Sequence, residues 1–313
     1  MKARNAQTSA SRVNTESNQV LTRVTRRTTE DRPADGALSP ARGTIEAPVV
    51  VVGATGTIGK ALVRLLVASG QPVVAVAPQS DRLAQLREVA TPGAVTPIVG
   101  RIESSADAKR LADRLRALAR PLAGVVVTFP HGPSIEIGAD RGRLLDQSTE
   151  CLCECLEQTV LAQHALARHL IPLLVDAERN ARYVIVGGPG SETPWAGYGH
   201  RSVAMAATRM LARVLHDEAR ACGVRVQLLS IDSPVRSEQP GDHECPEWPA
   251  ASDVARSVAR LVDPRSSDEP TDAIVRCGRS GAVRANDRVT RRYSDVPSLL
   301  ESLRNPTNNI TPQ

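Results

Sequence analysis

The residues of this chain whose types and spacing best suit chemistry are glycines. Gly53-Ala54-Thr55-Gly56-Thr57-Ile58-Gly59 follows the apolar run Val49 to Val52 and precedes an apolar-periodic segment from Ala61 to Leu66, so a strand turns sharply into a helix there. Glycine allows positive φ and close backbone approach, and a helix start presents unpaired N–H groups at its positive dipole end. That combination suits a dinucleotide pyrophosphate. Gly53, Thr55, Gly56, Thr57, Ile58 and Gly59 are the expected cofactor-binding residues, the Thr57 and Ile58 amides facing phosphate and the Thr57 hydroxyl adding a bond. A turn that only packs strand on helix is the plainer alternative.

Other reactive groups are less well placed. In Cys151-Leu152-Cys153-Glu154-Cys155 a helix puts Cys151 and Cys155 on one face and Cys153 on another, and no Cys-x-x-Cys partner or His pair stands at ligand spacing. These thiols read as small apolar side chains in a reducing, cytoplasmic compartment, with no metal site expected. Histidine is the residue type that titrates near neutral pH, so His131 and His200 are candidate general acids, with polar loop positions as the simpler reading. Lysines number only three: Lys2, Lys60 and Lys109.

The elements that must position these groups begin at residue 47. Strand-like runs at Val49 to Val52, Val73 to Ala77, Val95 to Val99, Val125 to Thr128, Tyr183 to Val186, Val224 to Leu229 and Ala273 to Val275 alternate with helical segments starting near Thr57, Asp81, Ser104, Leu144, Tyr198 and Ser252. Continuous Val-rich strands separated by longer helical patterns predict a mostly parallel sheet covered on both faces, a doubly wound α/β domain of Rossmann type over residues 47–285. A wide apolar arc on the helix from about Cys151 to Leu174, made of Leu152, Leu156, Val160, Leu161, Leu166, Leu170 and Leu174, is more than one core stripe needs. It predicts a homo-oligomer through that helix, against the alternative of a monomer with loops over it.

The chain has 313 residues, 41% hydrophobic and 23% charged, with a net charge of +5. Eight basic against five acidic residues put +3 of that charge before residue 47, so the folded body is close to neutral, which argues against a nucleic-acid footprint. Residues 1–46, rich in Arg, Ser, Thr, Asn and Gln, hold too few apolar side chains to offset ordering entropy and read as a disordered basic extension. A transit peptide would fit the composition, although Val13, Val20, Leu21 and Val24 make a poor amphipathic face. Residues 286–313 return to polar composition and read as a tail. No apolar run approaches membrane-spanning length, so no membrane partner is expected.

Element order and motif positions together resemble the short-chain dehydrogenase/reductase family over about residues 47–280. The run Leu215 to Leu229 is similar to the family's Leu-x-x-Glu-x-x-x-x-Gly-Val-Arg-Val, and the glycine turn is closer to the Gly-Ala-Thr-Gly-x-x-Gly form of its atypical and extended branches than to the usual Thr-Gly-x-x-x-Gly-x-Gly. The resemblance implies an NAD(P)-dependent oxidoreductase acting on a small carbonyl or alcohol. It also implies cofactor contacts at Arg101, where the family commonly has an aspartate beside adenine, and at Thr128, Phe129 and Pro130 after the fourth strand. The family's chemistry uses a tyrosine as proton donor activated by a lysine four residues on, a serine that steadies the substrate oxygen and an asparagine that supports a water relay. Here Tyr198 matches the tyrosine, Ser202 stands at the lysine position, Thr159 at the asparagine position and Gly188 at the serine position.

Only Tyr198 survives of that set. Arg201, at i+3, offers a positive charge beside the phenol but cannot shuttle a proton, and Ser191 is a stand-in for the missing serine. The expected catalytic residues are Tyr198, Arg201, Ser202 and Thr159. An acid about 20 positions past the glycine turn would hold the ribose of NAD, and an arginine the extra phosphate of NADP. Ala77-Pro78-Gln79-Ser80-Asp81-Arg82 presents neither in a decisive place, and the missing acid tilts the expectation toward NADP. The degraded motif keeps two alternatives open: an inactive dinucleotide-binding pseudoenzyme serving as redox sensor or partner subunit, and a structural subunit that has lost the nucleotide. The segment Ser233 to Trp248 is the expected specificity loop.

Overall fold

The computed structural model describes residues 47–88, 90–128, 142–177, 180–238, 245–263 and 271–277, and the backbone of 283–285. The expected extension at 1–46, the tail at 286–313, the candidates Phe129, Pro130 and His131, and residues 239–244 of the specificity loop lie outside the described residues.

Among the described residues eight strands form one sheet: β1 (Val49–Val52), β2 (Val73–Ala77), β3 (Val95–Val99), β4 (Gly124–Thr128), β5 (Arg182–Val186), β6 (Arg225–Ser230), β7 (Ile274–Cys277) and β8 (Val283–Ala285), in the order β3-β2-β1-β4-β5-β6-β7-β8. The first seven run parallel, and β8 closes on β7 antiparallel. The valine runs are buried from both sides: Val50 and Val51 are 0% exposed, as are Val125, Val126 and Val127. Water removed from both faces at once is what lets such strands do without polar alternation. β8 was not among the expected strands, because three residues carry too short a pattern to read.

Helices cover both faces. On one side α1 (Thr57–Ala68), α2 (Ser80–Glu88) and α7 (Ala251–Val262) bury Leu62, Leu66, Leu83, Val254 and Leu261 against the sheet. On the other, α3 (Ser105–Ala117), α5 (Ala162–Val175) and α6 (Gly199–Arg220) bury Leu111, Leu115, Leu166, Leu170 and Ala212. The start of α3 is fixed by Ser104, whose hydroxyl accepts from the Asp107 N–H at 3.2 Å and donates to the Asp107 carboxylate at 2.7 Å. That carboxylate also accepts the Glu103 N–H, a reciprocal cap.

Two expectations on this second face need correcting. No α-helix begins at Leu144; a 3₁₀ turn, Leu144–Asp146, precedes α4 (Thr149–Leu156), because Ser148 caps the helix by accepting the Cys151 N–H. The apolar arc is also not continuous. A π turn at Glu157–Leu161 separates α4 from α5, and its extra residue rotates the face, so Leu166, Leu170 and Leu174 are fully buried while Leu161 is 56% exposed. Cys151 and Cys155 are half-buried and Cys153 is exposed, the facing expected of a helix. Among the described residues no helix is long and apolar enough to cross a membrane.

Candidate functional site

The strand order reverses between β1 and β4, and in open α/β sheets the crevice at such a switch point, at the carboxyl ends of the strands, is where ligands sit. The glycine turn occupies it. Gly53 takes φ +82°, and a Cβ there would lie 1.8 Å from the Thr128 carbonyl oxygen; a Cβ on Gly59 would lie 2.2 Å from the Gly53 oxygen. Thr128, at the end of β4, donates its hydroxyl to the Val52 and Gly53 carbonyls at 3.0 and 3.1 Å, which locks the turn to the neighbouring strand. The Gly56 N–H closes on the Gly53 oxygen at 3.0 Å. Gly56 then caps α1, and the N–H groups of Thr57, Ile58 and Gly59 have no acceptor among the described residues. Three free amides at a positive helix end, with no side chain on Gly56 beside them, fit a pyrophosphate.

Beside the ends of β2 and β3, against α3, lies a hollow of about 270 Å³ lined by Val76, Ile98, Gly100, Arg101, Ile102 and Leu111 among others. Thr55 is buried and donates its hydroxyl to Gln79 Oε1 at 3.1 Å, tying the turn to the end of β2. Arg101 is ion-paired with Glu103 at 3.1 Å, both about two-thirds exposed, so its guanidinium faces a carboxylate of its own loop. Another hollow, of about 310 Å³, opens between α1 and α7 beside Val49, Leu65 and Arg256. It lies at the amino ends of the strands, away from the glycine turn.

The Tyr198 loop, between β5 and α6, is tightly built. Tyr198 is the N-cap of α6 and only 5% exposed; its ring stacks on Trp195 with centroids 4.2 Å apart, and the Arg201 guanidinium carbon lies 5.7 Å from its centroid. Arg201 thus addresses the face of the ring, a cation–π contact. Ser202 is also buried: its hydroxyl accepts the Trp195 N–H at 2.8 Å and lies 3.2 Å from the Tyr198 carbonyl, to which it donates. At the position where the resemblance puts a lysine stands a side chain engaged with backbone on both sides. Gly190, at φ +97°, presses against it, since a Cβ there would meet Ser202 Oγ at 2.7 Å.

Beyond this clamp the loop has two further fastenings. Ser191 lies 3.4 Å, hydroxyl to hydroxyl, from Ser230 at the end of β6. Glu192 is ion-paired with both Arg209 of α6 and Arg276 of β7. The Arg209 side chain is 7% exposed and its Nη1 has no hydrogen-bond partner among the described residues; burial pulls its pKa down, while the Glu192 carboxylate opposes that. Thr159 sits in the π turn and donates to the Cys155 carbonyl at 2.6 Å. Gly53, Thr55, Gly56, Thr57, Ile58, Gly59 and Thr128 come together, as do Tyr198, Arg201 and Ser202. Gln79, Trp195 and Glu192 escaped sequence reasoning. Only Trp195, three residues from Tyr198 and one of two tryptophans, carried a local signal.

The sequence model of the short chain dehydrogenase family matches residues 47–233. Curated proteins give no match. Among solved structures, the apo form of a short chain oxidoreductase from Pseudomonas aeruginosa PAO1, described as containing an atypical catalytic center, has a TM-score of 0.62 at 20% identity over 72% of this chain and 93% of that one. Its NADPH-bound form gives 0.60 at 19% identity over 72% and 94%. A short-chain type dehydrogenase/reductase from Mycobacterium ulcerans gives 0.64 at 19% identity over 75% and 89%. At such identities the likeness is one of fold.

Proposed function

Because the chain belongs to the short-chain dehydrogenase family, we propose that it is an NAD(P)-dependent oxidoreductase that acts on a small carbonyl or alcohol through a non-standard active site. The observation that carries this reading is the glycine turn, with the free Thr57, Ile58 and Gly59 amides at the start of α1 and no side chain on Gly56 beside them. A bound nicotinamide would supply hydride transfer. The protein's part is to hold the pyrophosphate on those amides, to present Gln79 and Arg101 near the adenosine end, and to set Tyr198 and Arg201 beside the strand ends. NADP is favoured over NAD because Gln79, 20 residues past Gly59, brings an amide and no carboxylate to the end of β2. The NADPH-bound P. aeruginosa structure supports the same preference.

One observation favours a second reading, a dinucleotide-binding pseudoenzyme: Ser202 cannot serve a phenol as lysine would, and its hydroxyl is engaged with Trp195 and Tyr198 backbone. A homo-oligomer through the α4–α6 side fits the exposed Leu161, Val203, Met210 and Val214. A cytoplasmic location fits six cysteines that form no disulfide. The test is titration with NADPH and NADH followed by nicotinamide fluorescence, with Gly56→Asp as control, then a carbonyl-substrate screen with Tyr198→Phe alongside. Saturable binding with turnover lost in Tyr198→Phe supports the oxidoreductase; binding without turnover supports the pseudoenzyme. No binding of either cofactor at millimolar concentration refutes both.

A further inference from the structure

We infer that Arg209 and Arg276 are positioning residues for Tyr198: by bracketing Glu192 they fasten the β5–α6 loop in the one conformation that stacks Trp195 on Tyr198. Three elements far apart in sequence converge there. Glu192 belongs to the loop, Arg209 to the middle of α6, and Arg276 to β7, 84 residues past Glu192. Alternation along β7 accounts for the meeting. Ile274 packs with the α6 side of the sheet and Val275 with the α7 side, so Arg276 returns to the α6 side, where Arg209 lies. On β6, Ser230 shares that side and meets Ser191.

An ion pair with one partner buried is poor evidence for stability, because desolvating that charge offsets much of the attraction. Arg209 is buried to 7% exposure with one nitrogen unpartnered among the described residues, so burial alone gives little reason to keep a charge there. What the bracket does supply is a unique position for the loop. Glu192 meets its two guanidinium groups from different elements, so a shift of the loop that keeps one contact breaks the other. Between this anchor and the Ser202 clamp lie residues 193–201, a span short enough that fixing both ends sets the Trp195–Tyr198 stack.

The fastening joins residues of this chain alone, so it is tested on the full chain without cofactor, in a Trp248→Phe background where Trp195 is the sole tryptophan. Hydrogen exchange and acrylamide quenching are read for Glu192→Gln and for the swap Glu192→Arg with Arg276→Glu, which moves the carboxylate to the strand while keeping two guanidinium groups on it. Exchange across 187–198 should rise at least tenfold in Glu192→Gln with β1 and β4 unchanged, Trp195 should become more quenchable, and the swap should reverse both. If Glu192→Gln does not fold, Arg276→Gln, which leaves Arg209 its carboxylate, is read in its place. Unchanged exchange in the loop, loosening shared equally by β1 and β4, or a folded swap that fails to restore the stack overturns the inference.

Discussion

Replacing each glycine of the turn by alanine separates two roles that motif matching treats as one. At Gly53 an alanine would have to adopt φ +82°, at a cost of about 1–2 kcal/mol for an L-residue. Its Cβ would start 1.8 Å from the Thr128 oxygen, a backbone atom that cannot rotate away. Overpacking of that kind costs about 1–3 kcal/mol. Together the two terms give roughly 2–5 kcal/mol, or roughly 4–20 °C in Tm for a domain of this size. At Gly59 the helix-propensity gain of about 1 kcal/mol is set against a Cβ 2.2 Å from the Gly53 oxygen, and α1 must move away from the turn.

Gly56 is different. Its φ of −73° and ψ of 171° suit any residue, and the nearest atom to an added Cβ is the Gly53 oxygen at 3.4 Å. Alanine there loses a little as an N-cap and gains about as much from a stiffer unfolded chain, so Tm should stay within about 3 °C. A pyrophosphate lying on the Thr57, Ile58 and Gly59 amides would meet that methyl, and NADPH affinity should fall by roughly tenfold or more, about 1.4 kcal/mol. Thermal melts and fluorescence titrations of the three variants read both quantities. Gly56→Ala melting as low as Gly53→Ala, or binding NADPH as tightly as the parent, would refute the reasoning.

Gln79→Asp should shift preference from NADPH toward NADH by roughly tenfold, since a carboxylate repels a phosphate and accepts from ribose hydroxyls; an unchanged ratio removes Gln79 from the cofactor site. Ser202→Ala leaves the Trp195 N–H without its acceptor and should cost about 1–3 kcal/mol in urea denaturation, whereas an unaltered midpoint would mean that Ser202 is no clamp. Asp107 titrates below its ordinary value of 3.8 mainly because the Ser104 hydroxyl donates to it, so its stabilising effect is complete above that pH and is lost as pH falls through the lower folded value. Asp107→Asn should therefore be the less stable protein at pH 6 and lose less than the parent between pH 5 and 2 in urea melts. Met210→Glu should convert a sedimenting dimer to monomer at micromolar concentration, and a parent that already sediments as a monomer dismisses the α4–α6 interface.

The sheet was legible because strands buried on both faces must be apolar throughout, so Val49–Val52 and Val73–Ala77 can be read without knowing their neighbours. The glycine turn was legible because positive φ and close approach leave a residue-type signature at Gly53 and Gly59. The π turn was not. Glu157–Leu161 has the composition of ordinary helix, and only the register of α4 against α6 and of α5 against the sheet reveals the extra residue. Ser202 shows a third limit: alignment gives its position, but the Trp195 N–H that occupies its hydroxyl comes from a loop whose path has no period. The Glu192 bracket lay furthest from view, since partners 17 and 84 residues away share no local pattern.

The two rims of the sheet carry a consequence for how copies of this protein can meet. On one rim, β3 has Pro97 at its centre, a residue with no N–H to offer a further strand. On the other, the described chain ends the sheet in β8, three residues long and opposed in direction to the other strands. An incoming strand finds a gap in the donor row at the first rim and almost no length to grip at the second. Growth by adding strand to strand is thereby discouraged at both rims, and self-association is left to the helices, where Val203, Met210 and Val214 recur at seven- and four-residue steps along one side of α6. Contacts made that way close into a finite assembly when they are two-fold, and the sheet stays out of them.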